Sequence, residues 1–250
     1  MTGTEAERLS YLRALGIEVW LPRGAADVEE TAAARESVSE AGGGIDTGSA
    51  GSTVTPPAGR MDPSSDDWET LRTRVSGCTR CALHQGRTQT VFGVGDADAE
   101  VMVIGEAPGA EEDRRGEPFV GRAGKLLDEM LRAAGLRREQ VFIANILKCR
   151  PPGNRDPRAE ESAECRPYLR RQIELVGPRV ILAVGRIAAQ NLLDTDAPIG
   201  RLRTSLQRLE EADLPVVVTY HPAYLLRSPS QKRKAWEDLC RVRALLAEAR

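Results

Sequence analysis

Histidine is scarce in this chain of 250 residues: His84 and His221 are the only two, and aromatic residues make up just 4% of it. A zinc or iron–sulfur centre built here would therefore draw on the five cysteines. No apolar run approaches the ~20 residues that a membrane-spanning helix needs. Residues 1–20, "MTGTEAERLSYLRALGIEVW", carry acidic charge and lack the hydrophobic core of a secretory signal. A cytoplasmic, non-membrane protein with reduced thiols is the expectation. Two phosphate-binding signatures are also missing. There is no Gly-x-x-x-x-Gly-Lys-Ser/Thr, and no Gly-x-Gly-x-x-Gly follows a strand pattern, so nucleotide-hydrolysing and dinucleotide-binding readings lose their main support.

What is present suits one medium-sized globular domain with extensions: 41% hydrophobic, 29% charged, net charge −2. The extensions are at the N-terminus. Residues 25–67 contain nine acidic and two basic side chains, a Gly-Gly-Gly and no aromatic residue, which is the composition of a disordered acidic linker. Residues 1–24 are charge-balanced, so the remainder, 68–250, carries +5, a mild balance that suits an anionic partner. The segment "YLRALGIEVWLPR" (11–23) combines an amphipathic start with a tryptophan in an apolar cluster. It reads either as a helix packing on the domain or as a tethered docking peptide for a replication or repair protein.

From Trp68 onward, short β-branched runs alternate with amphipathic segments. "VMVIG" (101–105), "VFIAN" (141–145), "VILAVG" (180–185) and "VVVTYH" (216–221) read as buried strands. "GKLLDEMLRAAGL" and "AEESAECRPYLRRQIELVGP" read as helices stopped at Gly135 and Gly177. That alternation predicts an α/β fold with a central, mainly parallel four-stranded sheet covered on both faces. Ligands of such sheets sit outside the carboxyl ends of the strands. Those ends carry Glu106, Asn145 and His221, a carboxylate, an amide and an imidazole that a parallel sheet would gather on one rim as a site for a small polar ligand.

Four cysteines fall in the pattern Cys78-x2-Cys81-x67-Cys149-x15-Cys165. Four thiolates without an imidazole suit tetrahedral zinc or an iron–sulfur cluster, and spacing alone does not choose between them. His84 reads as a bystander, and Cys240 falls beside Trp236 and Leu239 as a core-packing residue.

The stretches "GEAPGAEEDRRGEPFVGRAGKLLDEML", "NILKCRPPGNRDP" and "HPAYLLR", together with the four-cysteine spacing, resemble the family 4 uracil-DNA glycosylases, the iron–sulfur branch of that superfamily. The resemblance covers about residues 68–250. It implies a three-layer α/β/α fold and a [4Fe-4S] cluster on Cys78, Cys81, Cys149 and Cys165. It implies an enzyme that flips uracil out of single- or double-stranded DNA and hydrolyses its N-glycosidic bond. His221 matches the family's histidine that stabilises the leaving base, Asn145 the base-reading amide and Phe119 the stacking aromatic. Glu106 matches the water-side residue, Ala107 a backbone contact, and Glu112 and Asn154 further functional positions. Ala107 stands where some members have glycine. Leu225 or Leu226 would wedge the duplex open, with Arg227 on a phosphate. A monomer is expected. The competing reading is a DNA-binding or scaffold module that keeps the fold and turns nothing over.

Overall fold

The computed structural model describes residues 62–248, so the docking segment at 11–23 and most of the acidic stretch lie outside the described residues. The chain runs α1 (Trp68–Ser76), β1 (Val94–Gly95), β2 (Val101–Gly105), α2 (Ala110–Arg115), α3 (Arg122–Ala133), β3 (Phe142–Asn145) and α4 (Ala159–Val176). It continues through β4 (Val180–Val184), α5 (Arg186–Leu193), α6 (Ile199–Leu202), β5 (Gln207–Leu209), β6 (Leu214–Thr219), α7 (Pro222–Arg227) and α8 (Lys232–Glu248).

The four strands legible in the sequence form the parallel centre of the sheet, in the order β3-β2-β4-β6. The sheet has six strands, not four. β1 adds antiparallel to β3 on one edge and β5 antiparallel to β6 on the other, each only two or three residues long.

Alternation along the central strands builds two cores. Met102, Ile104, Ile181, Ala183, Val216 and Val218 face α1, α4 and α5, packing with Leu71, Val75, Leu169, Ile173, Ala188 and Leu192. Val101, Val103, Val180, Leu182 and Val217 face the other way, onto Leu127, Met130 and Leu131 of α3 and Leu239 and Val242 of α8. Because side chains of a strand alternate, a sheet buried on both faces needs near-continuous apolar strands, which is how these read. The result is the three-layer α/β/α arrangement.

The chain leaves β2 for β3 on one side and returns to β4 on the other, so the strand order reverses beside β2. Crevices at such reversals bind ligands. Helix ends are set by local chemistry: Gly177 ends α4 with φ 55°, the left-handed value glycine tolerates best.

Two expectations need correction. Residues 62–67 belong to the domain rather than the linker. Pro63 is buried, the Asp67 side chain caps α1 by accepting the Thr70 N–H at 2.8 Å, and buried Asp66 accepts from Arg74 at 2.5 and 2.8 Å. Cys240 is exposed, because Ala235, Leu239 and Val242 take the inward stripe of α8 and leave position 240 on the solvent side.

Candidate active site and thiol centre

The rim gathers the residues that strand-end reasoning placed there. Gly105 and Asn145 are register partners at the carboxyl ends of β2 and β3. A Cβ on Gly105 would lie 2.5 Å from Asn145 Oδ1 and 2.6 Å from Phe119 Cζ, so only glycine leaves room for the amide and the ring to stand together. Asn145 is 2% exposed, and its Oδ1 is buried without a hydrogen-bond partner. Buried polar atoms are nearly always paired. An unpaired acceptor on a crevice rim is a position for a ligand donor.

His221 follows β6 and caps α7. Its Nδ1 accepts the Ala223 N–H at 3.1 Å, which puts the ring proton of the neutral form on Nε2. Burial pushes its pKa down to about 4, helped by the Arg227 charge and opposed by Glu112, so the ring is neutral at physiological pH. The Phe119 ring lies 5.7 Å from the imidazole, centroid to centroid.

Phe119 is held in an unusual backbone conformation, φ 54°, which a bulky residue adopts only when its surroundings compel it. Three groups do so. The Glu112 carboxylate accepts the N–H groups of Gly109, Val120 and Gly121 at 3.0–3.1 Å. Arg138 donates to the carbonyls of Pro118 at 2.5 Å and Phe119 at 3.3 Å, and is itself held by Asp128 at 3.0 Å. Gly124 passes against the Phe119 carbonyl, where a Cβ would collide. Glu112 thus acts on the loop that presents the aromatic face. Arg138 lies outside every motif quoted above, and nothing in the sequence singles it out.

Glu106, one residue past β2, is half-buried. Burial, reinforced by Asp156 and opposed by Arg186, pushes its pKa up to about 7. A carboxylate poised there can take or hold a proton at neutral pH. Asp156 and Arg186 pair with each other at 2.8 Å. Ala107 is half-buried beside the core. Asn154 lies on an exposed turn with φ 54°, its Oδ1 accepting from Arg150 Nε at 2.8 Å.

Of the two wedge leucines, one is ruled out. Leu225 is fully buried in the core with α3 and α8, whereas Leu226 is 39% exposed. Successive residues of a helix point about 100° apart, and here the turn carries Leu225 onto the core and Leu226 outward. Arg227 is exposed at the end of the same helix.

The four cysteines, remote in sequence, line one cavity together with His84, Arg87, Lys148 and Tyr168. Arg87 donates to Cys149 Sγ at 3.1 Å and to the Cys78 carbonyl at 2.8 Å, and the Lys148 main-chain N–H approaches Cys165 Sγ at 3.3 Å. No disulfide joins them. Burial raises the thiols of Cys81 and Cys149 and pushes Cys165 up to about 12, with the Lys148 charge working against it. Among the described residues, no three His, Cys, Asp or Glu side chains converge as a lone metal ion would require. The His84 ring nitrogen Nδ1 lies 2.8 Å from the Cys81 carbonyl.

Comparison with known proteins agrees with this geometry. The family model described as "Uracil DNA glycosylase superfamily" matches residues 92–240. The type-4 uracil-DNA glycosylase of Archaeoglobus fulgidus is 46% identical over 174 residues, spanning 67% of this chain and 87% of the relative. That of Thermotoga maritima is 42% identical over 186 residues, spanning 71% and 94%. The chain belongs to the type-4 uracil-DNA glycosylase family. In this glycosylase chain every rim residue, with Cys149 and Cys165, falls inside the matched span, while Cys78 and Cys81 precede it.

Proposed function

We propose that this type-4 glycosylase chain excises uracil from DNA as a base-excision repair enzyme, leaving an abasic site. The observation that carries the reading is the unpartnered Asn145 Oδ1, set against Phe119 and beside a neutral His221. A base cannot reach this rim while stacked in a duplex, so it must be flipped out. Phe119 then offers a stacking face. Uracil presents an N3–H donor and an O4 acceptor, which an asparagine amide satisfies with one oxygen and one nitrogen. Cytosine presents an amino donor and a bare N3, and mismatches both.

The reaction breaks the bond between C1′ and N1. The electron pair leaves with the pyrimidine, which becomes an anion, and the sugar becomes oxocarbenium-like. His221 donates Nε2–H to the oxygen on which that charge develops. A neutral imidazole suits this because the proton is shared rather than lost. The water oxygen bonds to C1′, and its proton passes to Glu106, whose pKa near 7 lets it accept at neutral pH. The uracil anion is protonated from solvent. Leu226, exposed on α7 beside His221, fills the gap left in the duplex, and Arg227 contacts the backbone.

The thiol cavity suits a [4Fe-4S] cluster on Cys78, Cys81, Cys149 and Cys165. The donor set is all sulfur, two of the sulfurs already face N–H donors, and the four side chains line one cavity. When bound, such a cluster would supply metal–thiolate bonds that tie the segment after α1 to α4 and to the loop after β3.

The test is to incubate the purified chain with an oligonucleotide containing one uracil and to assay free uracil and alkali-labile abasic sites. Release that is lost in Asn145→Ala supports the proposal, and intact oligonucleotide after prolonged incubation with iron-loaded protein contradicts it.

A further inference from the structure

The chemistry above makes no use of the lysine buried between the two halves of the site. Lys148 is 1% exposed, and its ammonium donates to the Asn145 carbonyl at 2.9 Å and to Gln172 Oε1 at 2.6 Å. Gln172, itself fully buried on α4, passes the contact on by donating to the Phe92 carbonyl at 2.9 Å. The main chain of Lys148 is equally engaged: its N–H approaches Cys165 Sγ at 3.3 Å, and its carbonyl accepts the Val91 N–H at 2.8 Å.

Burying an ammonium is costly unless it is well hydrogen-bonded. Methionine would fill much the same space without that cost, so the ammonium's value lies in the bonds it makes. Both side-chain acceptors are neutral oxygens, while the main-chain N–H of the same residue faces Cys165 Sγ and the residue lines the cavity that the four cysteines share. At one end, then, the lysine is built into the thiol centre. At the other it grips the carbonyl of the residue whose side-chain oxygen is left open for a ligand.

We infer that Lys148 is a positioning residue that couples the four-cysteine centre to uracil recognition, fixing the Asn145 backbone from which the base-reading amide projects. The inference rests on the uracil-excision reading of Asn145. Its consequence is specific. Loosening the Lys148 contact costs preference for uracil while leaving contacts to the DNA backbone intact. The thiol centre then governs what the enzyme reads, beyond bracing the fold.

The test uses the full chain with its iron, and duplexes carrying 2′-fluoro-2′-deoxyuridine, whose electron-withdrawing fluorine suppresses loss of the base, or thymidine in its place. Three quantities are read for wild type, Lys148→Met and Gln172→Met: the affinity ratio for the two duplexes, iron content and Tm. Lys148→Met is expected to lose the uracil preference by about tenfold, within the range of coupling effects from residues that do not touch the ligand. Its affinity for the thymidine duplex and its iron content are expected to stay at wild-type values. Gln172→Met, which leaves the bond to Asn145 in place, is expected to lose less in the same direction. Unchanged preference in both variants overturns the coupling, as does a preference that falls only in proportion to iron content. If Lys148→Met does not fold, Gln172→Met alone decides. A wild-type chain without any uracil preference would instead sink the excision reading, and the coupling with it.

Discussion

The rings of Phe119 and His221 lie 5.7 Å apart, tilted 30° from parallel, although about a hundred residues separate them in sequence. Phe119 arrives on the loop between α2 and α3, and His221 at the carboxyl end of β6. The parallel sheet sets the imidazole at the rim, where a base stacked on Phe119 would have its edge within reach of Nε2–H. Stacking surface and hydrogen-bond donor are thus fixed independently of each other, each with its own supports. That independence makes their contributions separable by mutation.

Replacing His221 with alanine removes the donor proposed to face the developing anion. Loss of one such donor typically costs 10²–10³-fold in turnover, so excision should fall by about that much. Binding to uracil-containing DNA should fall only slightly. Single-turnover excision and equilibrium binding, measured on the same oligonucleotide, check both halves. An equal loss of both would count against the assigned role.

Glu106 has its pKa raised to about 7, and in the proposed chemistry the deprotonated form accepts the water's proton. Excision should therefore rise with pH through the neutral range and level off above it. His221, neutral above about pH 4, contributes no inflection there. In Glu106→Gln the rise should disappear and the plateau should drop. A pH profile of kcat/KM for wild type and variant tests this; an unchanged inflection in the variant would assign the titration to another group.

The two leucines of α7 should behave oppositely. Leu225→Ala removes a fully buried side chain and should destabilise the fold by roughly 2–5 kcal/mol. Leu226→Ala should leave Tm within a degree or two yet slow excision from duplex DNA more than from single strands, where no gap needs filling. Thermal unfolding and paired assays on the two substrates separate them.

Glu112→Gln keeps the size of the side chain but removes the charge from an acceptor of three backbone N–H groups. Hydrogen bonds to charged groups contribute roughly 1.5–3 kcal/mol, so the loop carrying Phe119 should loosen. Weaker base binding, seen as a raised KM with a smaller drop in kcat, is the expected result. A drop in kcat alone would place Glu112 in the chemical step instead.

The sequence made the frame legible and hid the supports. The central strands announced themselves as β-branched runs, and their ends placed Glu106, Asn145 and His221 on one rim because a parallel sheet leaves little choice. The cysteine spacing pointed to a four-thiolate centre, and the four side chains line one cavity. The edge strands β1 and β5 were invisible, since two or three residues show no period. Leu225 and Leu226 are chemically identical, and only the packing of α7 against α3 distinguishes them. Arg138 binds through its guanidinium to main-chain carbonyls twenty residues away, a contact that no local pattern encodes. Glu112 was legible as a functional position, but its grip on three N–H groups depends on the turn of a loop. Lys148 carried a faint signal in standing between Asn145 and Cys149, though burial without a carboxylate partner appears only in three dimensions.

The most direct measurement is uracil release from a labelled oligonucleotide with one uracil opposite guanine, run beside the same strand with cytosine in place of uracil, for wild type and Asn145→Asp. With Asn145 reading the base as proposed, through an acceptor beside a donor, the wild type should release uracil, leave cytosine untouched and generate one abasic site per base freed. Asn145→Asp, which replaces the amide donor with an acceptor, should lose uracil release by at least about a hundredfold, given that a site built to hydrogen-bond its ligand strongly rejects a mismatched partner. Uracil release by the variant at the wild-type rate, or no release by either protein with iron fully loaded, would contradict the account.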